Sequence, residues 1–277
     1  MEAFKDTGTP LLRGVVAAYC LQDGYLCLKL LQKWAAHTSI LEESACCVVN
    51  ASLVLDSGRQ IKVISLILAE IYDELVYNPP AAAKEDDGEG YAGATVIDTV
   101  AGYYSGFNDQ VILGDFASLY PSLMRAHNVC PSRYVRPNMS SELRAGQELG
   151  VVVTDHVISD ELTVQLAMPT SGSKAPFTKI LEKLLAERTA VRKLQKLEPD
   201  PVKKSILNCR QLSRKVSCNS AYGLLGSKTG YLSLPPLAAV TTFTGRMALQ
   251  FSQRIIEEEF GGFTVAGDTG DYLLFLQ

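Results

Sequence analysis

The sequence predicts a mixed α/β fold in which a long two-helix hairpin is inserted between short strands. Three observations lead there. Two long helical patterns meet at Glu198-Pro199-Asp200-Pro201, which only a tight connection accommodates, because proline cannot continue a helix interior. Strand-like pieces at 94–98 and 110–116 precede that hairpin, and two apolar runs at 263–266 and 272–276 follow it around GDTGD as a β-hairpin. With 277 residues and 47% hydrophobic content, the chain can bury the core of one large or two modest domains.

The elements follow in order. Residues 11–36 and 60–77 carry apolar positions at helical spacing, such as Ile61, Ile64, Leu68, Ile71 and Leu75. The acidic, Ala/Gly-rich stretch PPAAAKEDDGEG (79–90) reads as a surface loop or linker. A helix is expected from about Pro121 to His127, since proline suits a first turn. Residues 138–175 are rich in Ser and Gly with short β-like pieces such as 151–153, and a third long helix covers roughly 240–259. The chain has no internal repeat.

Composition narrows the function classes. Charged residues make up 20% of the chain, so it is not a disordered tail. The net charge of -4 argues weakly against a nucleic-acid partner, but segregated basic residues override net charge. Seven scattered cysteines without a CxxC pair imply reduced thiols of an intracellular protein, with neither a zinc site nor a disulfide framework. No secretory signal opens the sequence. The longest apolar stretch, 63–72, is broken by Glu70 and too short for a bilayer, so no membrane partner is expected. The sequons at Asn50 and Asn138 are expected to be chance matches.

Three constellations carry chemistry. In VILGDFASLYPSLMRAHN (111–128), an apolar strand ends in Asp115 and the chain turns into a helix whose first amides point outward. A carboxylate beside such amides suits Mg²⁺ carrying a triphosphate, although a lone Asp at a strand end is more often a cap. From Lys179 to Lys215 there are eleven Lys/Arg against four Asp/Glu. Arg188 and Arg192 share one helical face, as do Lys215, Asn219 and Tyr222 on the second helix. Arg188 lies about 16 Å before the turn and Lys215 about 21 Å after it, so an antiparallel pair brings them within about a turn of each other. Three cations there make a triphosphate clamp; alone, a solvated basic face is the commoner reading. In GDTGD (267–271), two close carboxylates could complete a two-metal site with Asp115, although acidic residues with Gly are ordinary turn chemistry.

Together these segments resemble B-family DNA polymerases over nearly the whole chain. DFASLYPS resembles motif A of that family, KVSCNSAYG (215–223) motif B, and GDT (267–269) the start of motif C. YCLQD (19–23) resembles the third exonuclease motif through Tyr19 and Asp23. SGRQIKV (57–63) resembles the segment after the exonuclease domain, and GYAGATVID (90–98) the approach to the palm. The acidic insertion and the form DFASLYPSLMRAHNVC lean toward herpesvirus-type or other large-DNA-virus enzymes.

The resemblance implies a fold and roles. Residues 1–80 would be the end of an RNase H-like 3′–5′ exonuclease domain and the helices after it, 81–175 the first part of a palm with an antiparallel sheet, 176–223 the fingers helical hairpin, and 224–277 the second part of the palm. The thumb would be absent. Catalysis would rest on Asp115, Asp268 and Asp271, which with the carbonyl of Phe116 would hold two Mg²⁺ ions, Mn²⁺ being a substitute. Amides from Ser118 through Leu119 to Tyr120 would hold the triphosphate, and the Tyr120 ring would exclude a 2′-OH. Arg188, Arg192 and Lys215, helped by Asn219, would grip the phosphates, and Tyr222 would border the nascent base pair. Primer-template DNA and dNTPs are the implied partners, with a processivity factor bound through other regions, and the nucleus is the implied compartment.

One departure stands out. The family's motif C reads Tyr-Gly-Asp-Thr-Asp-Ser, whereas here Ala266 replaces the Tyr, Gly270 the second Asp, and Asp271 follows one step later. Either Asp271 fills in after a local shift or the site is disabled. The chain would also lack the first two exonuclease motifs, and with them proofreading. The competing readings are a polymerase-like domain that only binds DNA or scaffolds, and an unrelated metal-dependent phosphohydrolase.

Overall fold

A computed structural model describes residues 9–72, 92–104, 110–137, 150–227 and 232–276. Proline and side-chain caps fix where most of the long helices begin. Helix α1 (Pro10–Lys33) starts at a proline behind Thr9, whose hydroxyl accepts from the Leu12 amide. Helices α2 (Ala36–Cys47), α3 (Ala51–Asp56) and α4 (Arg59–Ile71) follow. The helical pattern read as continuous over 11–36 is thus broken at Ala35, which adopts φ 48°. Asn50, one of the two sequon asparagines, caps α3 by accepting from the Ser52 amide at 3.1 Å. The linker expected at 79–90, Leu75 and Asn138 lie outside the described residues.

Two antiparallel sheets come next. Strands β1 (Val96–Ile97), β2 (Gln110–Asp115), β6 (Phe263–Asp268) and β7 (Asp271–Leu276) form a sheet in the order β1-β6-β7-β2. The last two strands are the expected hairpin, with Thr269 and Gly270 as a two-residue tip. Strands β3 (Tyr134–Val135), β4 (Val151–Val157) and β5 (Thr163–Pro169) make a second sheet in the order β3-β5-β4. The sequence marked 151–153, the start of β4, as β-like and did not mark β3; the Ser and Gly of 138–175 read as loop.

Helix α5 (Leu119–Ala126) begins two residues before the expected Pro121. Helices α6 (Pro176–Leu197) and α7 (Pro201–Gly226) form the hairpin around the Glu198–Asp200 connection. Asp200 caps α7, accepting from the Val202 amide at 2.8 Å. Helix α8 (Pro235–Glu259) starts at Pro235, earlier than the expected 240.

The core sits where α4 to α8 converge on β5, around Val63, Ile67, Met124, Leu166, Leu224 and Leu237. Ion pairs tie α2 to the hairpin: the Arg210 guanidinium donates to both Glu42 oxygens, at 2.8 and 2.9 Å. Glu43 also accepts from Arg59 and, at 3.0 Å, pairs with the buried Lys62. Helix α1 buries no residue. By length and composition alone it is long and apolar enough to cross a membrane. The expectation that 63–72 is the longest apolar helical stretch is therefore corrected: intervening residues such as Gln22, Asp23 and Gly24 masked the longer run.

Candidate active site

The site is built at the end of the four-stranded sheet. Asp115 closes β2, and register pairs it with Asp271, the first residue of β7; Asp271 in turn pairs with Asp268, the last residue of β6. Three aspartates from three strands thus occupy one cross-strand row. Asp115 and Asp268 are exposed, and the Thr269 hydroxyl donates to Asp268 Oδ1 at 2.8 Å. Among the described residues no three His, Cys, Asp or Glu side chains lie close enough together to hold a metal ion.

The hairpin tip is pinned on both sides. The Thr269 amide donates to Thr95 O at 3.0 Å, and the Phe116 amide donates to Gly270 O at 3.0 Å. Thr269 adopts φ 58° and Ser118, the N-cap of α5, φ 55°. Left-handed backbone at non-glycine residues is strained, and such strain gathers where geometry is functional. Gly270 is not left-handed. A Cβ built on it meets Leu119 Cδ2 at 3.3 Å and Phe116 Cβ at 3.8 Å, so a side chain at 270 would head into the corner between β2 and α5. The amides that open α5 have no intrahelical acceptor by helix geometry and belong to this same corner.

The helical hairpin reaches the corner through aromatic contact. Tyr120 and Tyr222 stack with ring centroids 4.5 Å apart and planes tilted by 42°. From there the basic residues line α6 and α7. Arg188 is half-buried and its Nε donates to Gln211 Oε1 at 3.4 Å, one turn before Lys215. Burial pushes the Cys218 thiol up to about 11, while the charges of Arg188 and Arg125 pull the other way. Arg192, Lys215 and Asn219 are exposed. Arg214 turns from this face, donating to Glu187 at 2.8 Å. Tyr19 and Asp23 sit one turn apart on α1, both exposed.

Comparison with known proteins decides the family. The family description "DNA polymerase family B" matches residues 49–269. The chain belongs to DNA polymerase family B. The polymerase match ends at Thr269, one residue before the departure at Gly270. The chain is similar to the DNA polymerase delta catalytic subunits of Caenorhabditis elegans (34% identical over 250 residues, 90% of this chain and 22% of that protein) and Bos taurus (32% over 253 residues, 91% and 22%). It is similar to the DNA polymerase catalytic subunit of Epstein-Barr virus strain B95-8 at 34% over 241 residues, covering 86% of this chain and 23% of that protein. Viral and cellular relatives are equally close, so the leaning toward viral enzymes gains no support. The family B DNA polymerase of Pyrobaculum calidifontis shares the fold, with a TM-score of 0.67 at 24% identity over 96% of this chain and 32% of that one. The chain spans about 22% of the length of the delta subunits it matches.

Packing roles that sequence reasoning missed also shape the corner. Leu119 fills the space beside Gly270, and Gly245 of α8 lies against the Tyr120 ring. Arg246 and Thr242 of the same helix donate to Ala92 O at 2.9 and 3.1 Å, which fixes α8 to the segment leading into β1. A glycine in a helix interior was the signal available for Gly245.

Proposed function

We propose that the chain forms the nucleotidyl-transfer core of a template-directed DNA polymerase, in which a primer 3′-OH attacks the α-phosphorus of a dNTP and pyrophosphate leaves. One observation carries the reading: segments about 100 and 150 residues apart converge on one corner, through the Phe116–Gly270 hydrogen bond of 3.0 Å and the Tyr120–Tyr222 stack of 4.5 Å. In-line displacement requires positioning and charge neutralisation more than covalent help; in this reading the corner supplies the carboxylates and helix-start amides, and the adjoining helical hairpin the cations.

Residues 1–80 complete an exonuclease-like domain, 81–175 and 224–277 form the palm, and 176–223 form the fingers. Asp115, Asp268, Asp271 and the Phe116 carbonyl are the oxygen donors that would hold two Mg²⁺, or Mn²⁺ in substitution; an all-oxygen set suits hard divalent ions. Register sets Asp271 between Asp115 and Asp268 in one cross-strand row, which supports Asp271 as the stand-in for the missing second Asp. Bound metal would supply neutralisation of developing phosphate charge and orientation of the attacking oxygen. Amides from Ser118, Leu119 and Tyr120 cradle the triphosphate, Tyr120 faces the sugar and Tyr222 the nascent pair. Arg188, Arg192, Lys215 and Asn219 hold the phosphates. Primer-template DNA and dNTPs are the substrates, the nucleus the working compartment, and a processivity partner is assigned to parts of the relatives that this chain does not span.

Gly270 favours a second reading, in which the site binds DNA and nucleotide with weakened turnover. Both readings require the phosphate grip. Titrating a labelled dNTP with Mg²⁺ against the wild type and Lys215→Ala tests it. Charge-assisted hydrogen bonds contribute about 1.5–3 kcal/mol, so affinity should fall at least about tenfold. Equal affinity removes Lys215 from the site.

A further inference from the structure

Helix α8 carries a glycine in its interior at Gly245. Glycine there costs a helix about 1 kcal/mol relative to alanine, and its backbone is helical, so no unusual dihedral angle requires it. Packing does. A Cβ built on Gly245 meets Tyr120 Cε1 at 3.1 Å, with Leu119 Cδ2 and Leu123 Cδ1 each at 3.6 Å. The helical glycines Gly14, Gly24 and Gly223 meet nothing within 4 Å. The edge of the Tyr120 ring therefore rests on bare α8 backbone. Tyr222 stacks against the same ring with centroids 4.5 Å apart. Leu119, in the same first turn of α5, reaches both Gly245 and Gly270 with its Cδ2 atom, at 3.6 and 3.3 Å from the ideal Cβ positions. The depth at which the ring and the start of α5 sit is thus set by the absence of a side chain at 245.

We propose that Gly245 is a positioning residue for sugar selection, holding the Tyr120 ring at the depth where it meets the nucleotide sugar. The inference rests on reading Tyr120 as the residue that excludes a 2′-OH. A methyl group at 245 displaces the ring by a few tenths of an ångström, away from α8 and into the space the sugar would fill. Overpacking of that kind disturbs side-chain geometry without breaking the fold. Alanine also raises helix propensity, so any loss of nucleotide binding is separable from unfolding.

The test uses the 277-residue chain as wild type, Gly245→Ala, Tyr120→Ala and the double variant. Each is labelled with 3-fluorotyrosine, with Tyr120→Phe assigning the resonance, and titrated with a dNTP and the matching rNTP. Gly245→Ala should move the Tyr120 fluorine resonance, leave the chain folded with a cooperative thermal transition, weaken dNTP binding on the order of tenfold and change the dNTP-to-rNTP ratio. On the Tyr120→Ala background it should change neither affinity. An unmoved Tyr120 resonance overturns the proposal directly, whatever the affinities do. Equal losses on both backgrounds overturn it too, because the effect would then bypass the ring. If Gly245→Ala leaves the ratio unchanged while Tyr120→Ala lowers it, positioning by Gly245 fails and the sugar role of Tyr120 stands. If neither variant alters the ratio, the reading of Tyr120 itself fails.

Discussion

Gly270 is where the chemistry of single residues is most exposed to test. The position is buried, its φ lies outside the left-handed region, and its Cβ direction leads to Phe116 and Leu119. An aspartate there needs only a few tenths of an ångström from Leu119 Cδ2, the far end of a flexible side chain. Glycine is thus not demanded by backbone geometry, and Gly270→Asp should place a new carboxylate beside Asp115. Mn²⁺ titration followed by paramagnetic relaxation should give at least about tenfold tighter binding in the variant, and identical curves would mean that the tip does not face the carboxylate. Asp115, Lys215 and Tyr120 stand out in the sequence as candidates because each is a chemistry-bearing type at a fixed place in a longer motif. Gly245 and the packing role of the Leu119 side chain do not, since their contribution is the space they leave or fill, and space is defined by residues more than a hundred positions away.

Among the elements, the long helices were easiest to read, because proline and capping residues mark their starts and apolar spacing marks their faces. Helices α2 and α3 were missed for a local reason. The chain turns into α2 at Ala35 and out of it at Val48, which take left-handed conformations, φ 48° and 54°, that their residue types do not advertise. Val48 is β-branched, 63% exposed, and ends α2 where glycine is the usual residue. Left-handed backbone costs an L-residue roughly 1–2 kcal/mol, partly offset on substitution by the greater unfolded-state freedom of glycine. Val48→Gly should therefore stabilise the chain by about 1 kcal/mol, read as a higher urea midpoint at constant slope, while Val48→Ala should gain far less. A lower midpoint for Val48→Gly would show that the left-handed turn at α2 is not strained.

For the whole molecule, the mixed α/β class and the inserted hairpin followed from periodicity and turn chemistry, while the second sheet and the packing of α2 on α7 did not. Those depend on pairings between distant segments, such as Arg210 with Glu42, that no local pattern encodes. A nucleotidyl-transfer core requires that strand-end carboxylates and helical-hairpin cations serve one bound nucleotide. Residues that act on a common ligand couple, by about 0.5–3 kcal/mol, whereas independent sites add to within about 0.3–0.5 kcal/mol. The direct measurement is a double-mutant cycle on dNTP binding in the presence of Mn²⁺, using Asp115→Asn, Lys215→Ala and the pair together. One shared site predicts a coupling energy above about 0.5 kcal/mol, with the second substitution mattering less once the first has been made. Strictly additive losses, or a dNTP affinity that neither substitution changes, would contradict a single nucleotidyl-transfer site built from these two ends of the fold.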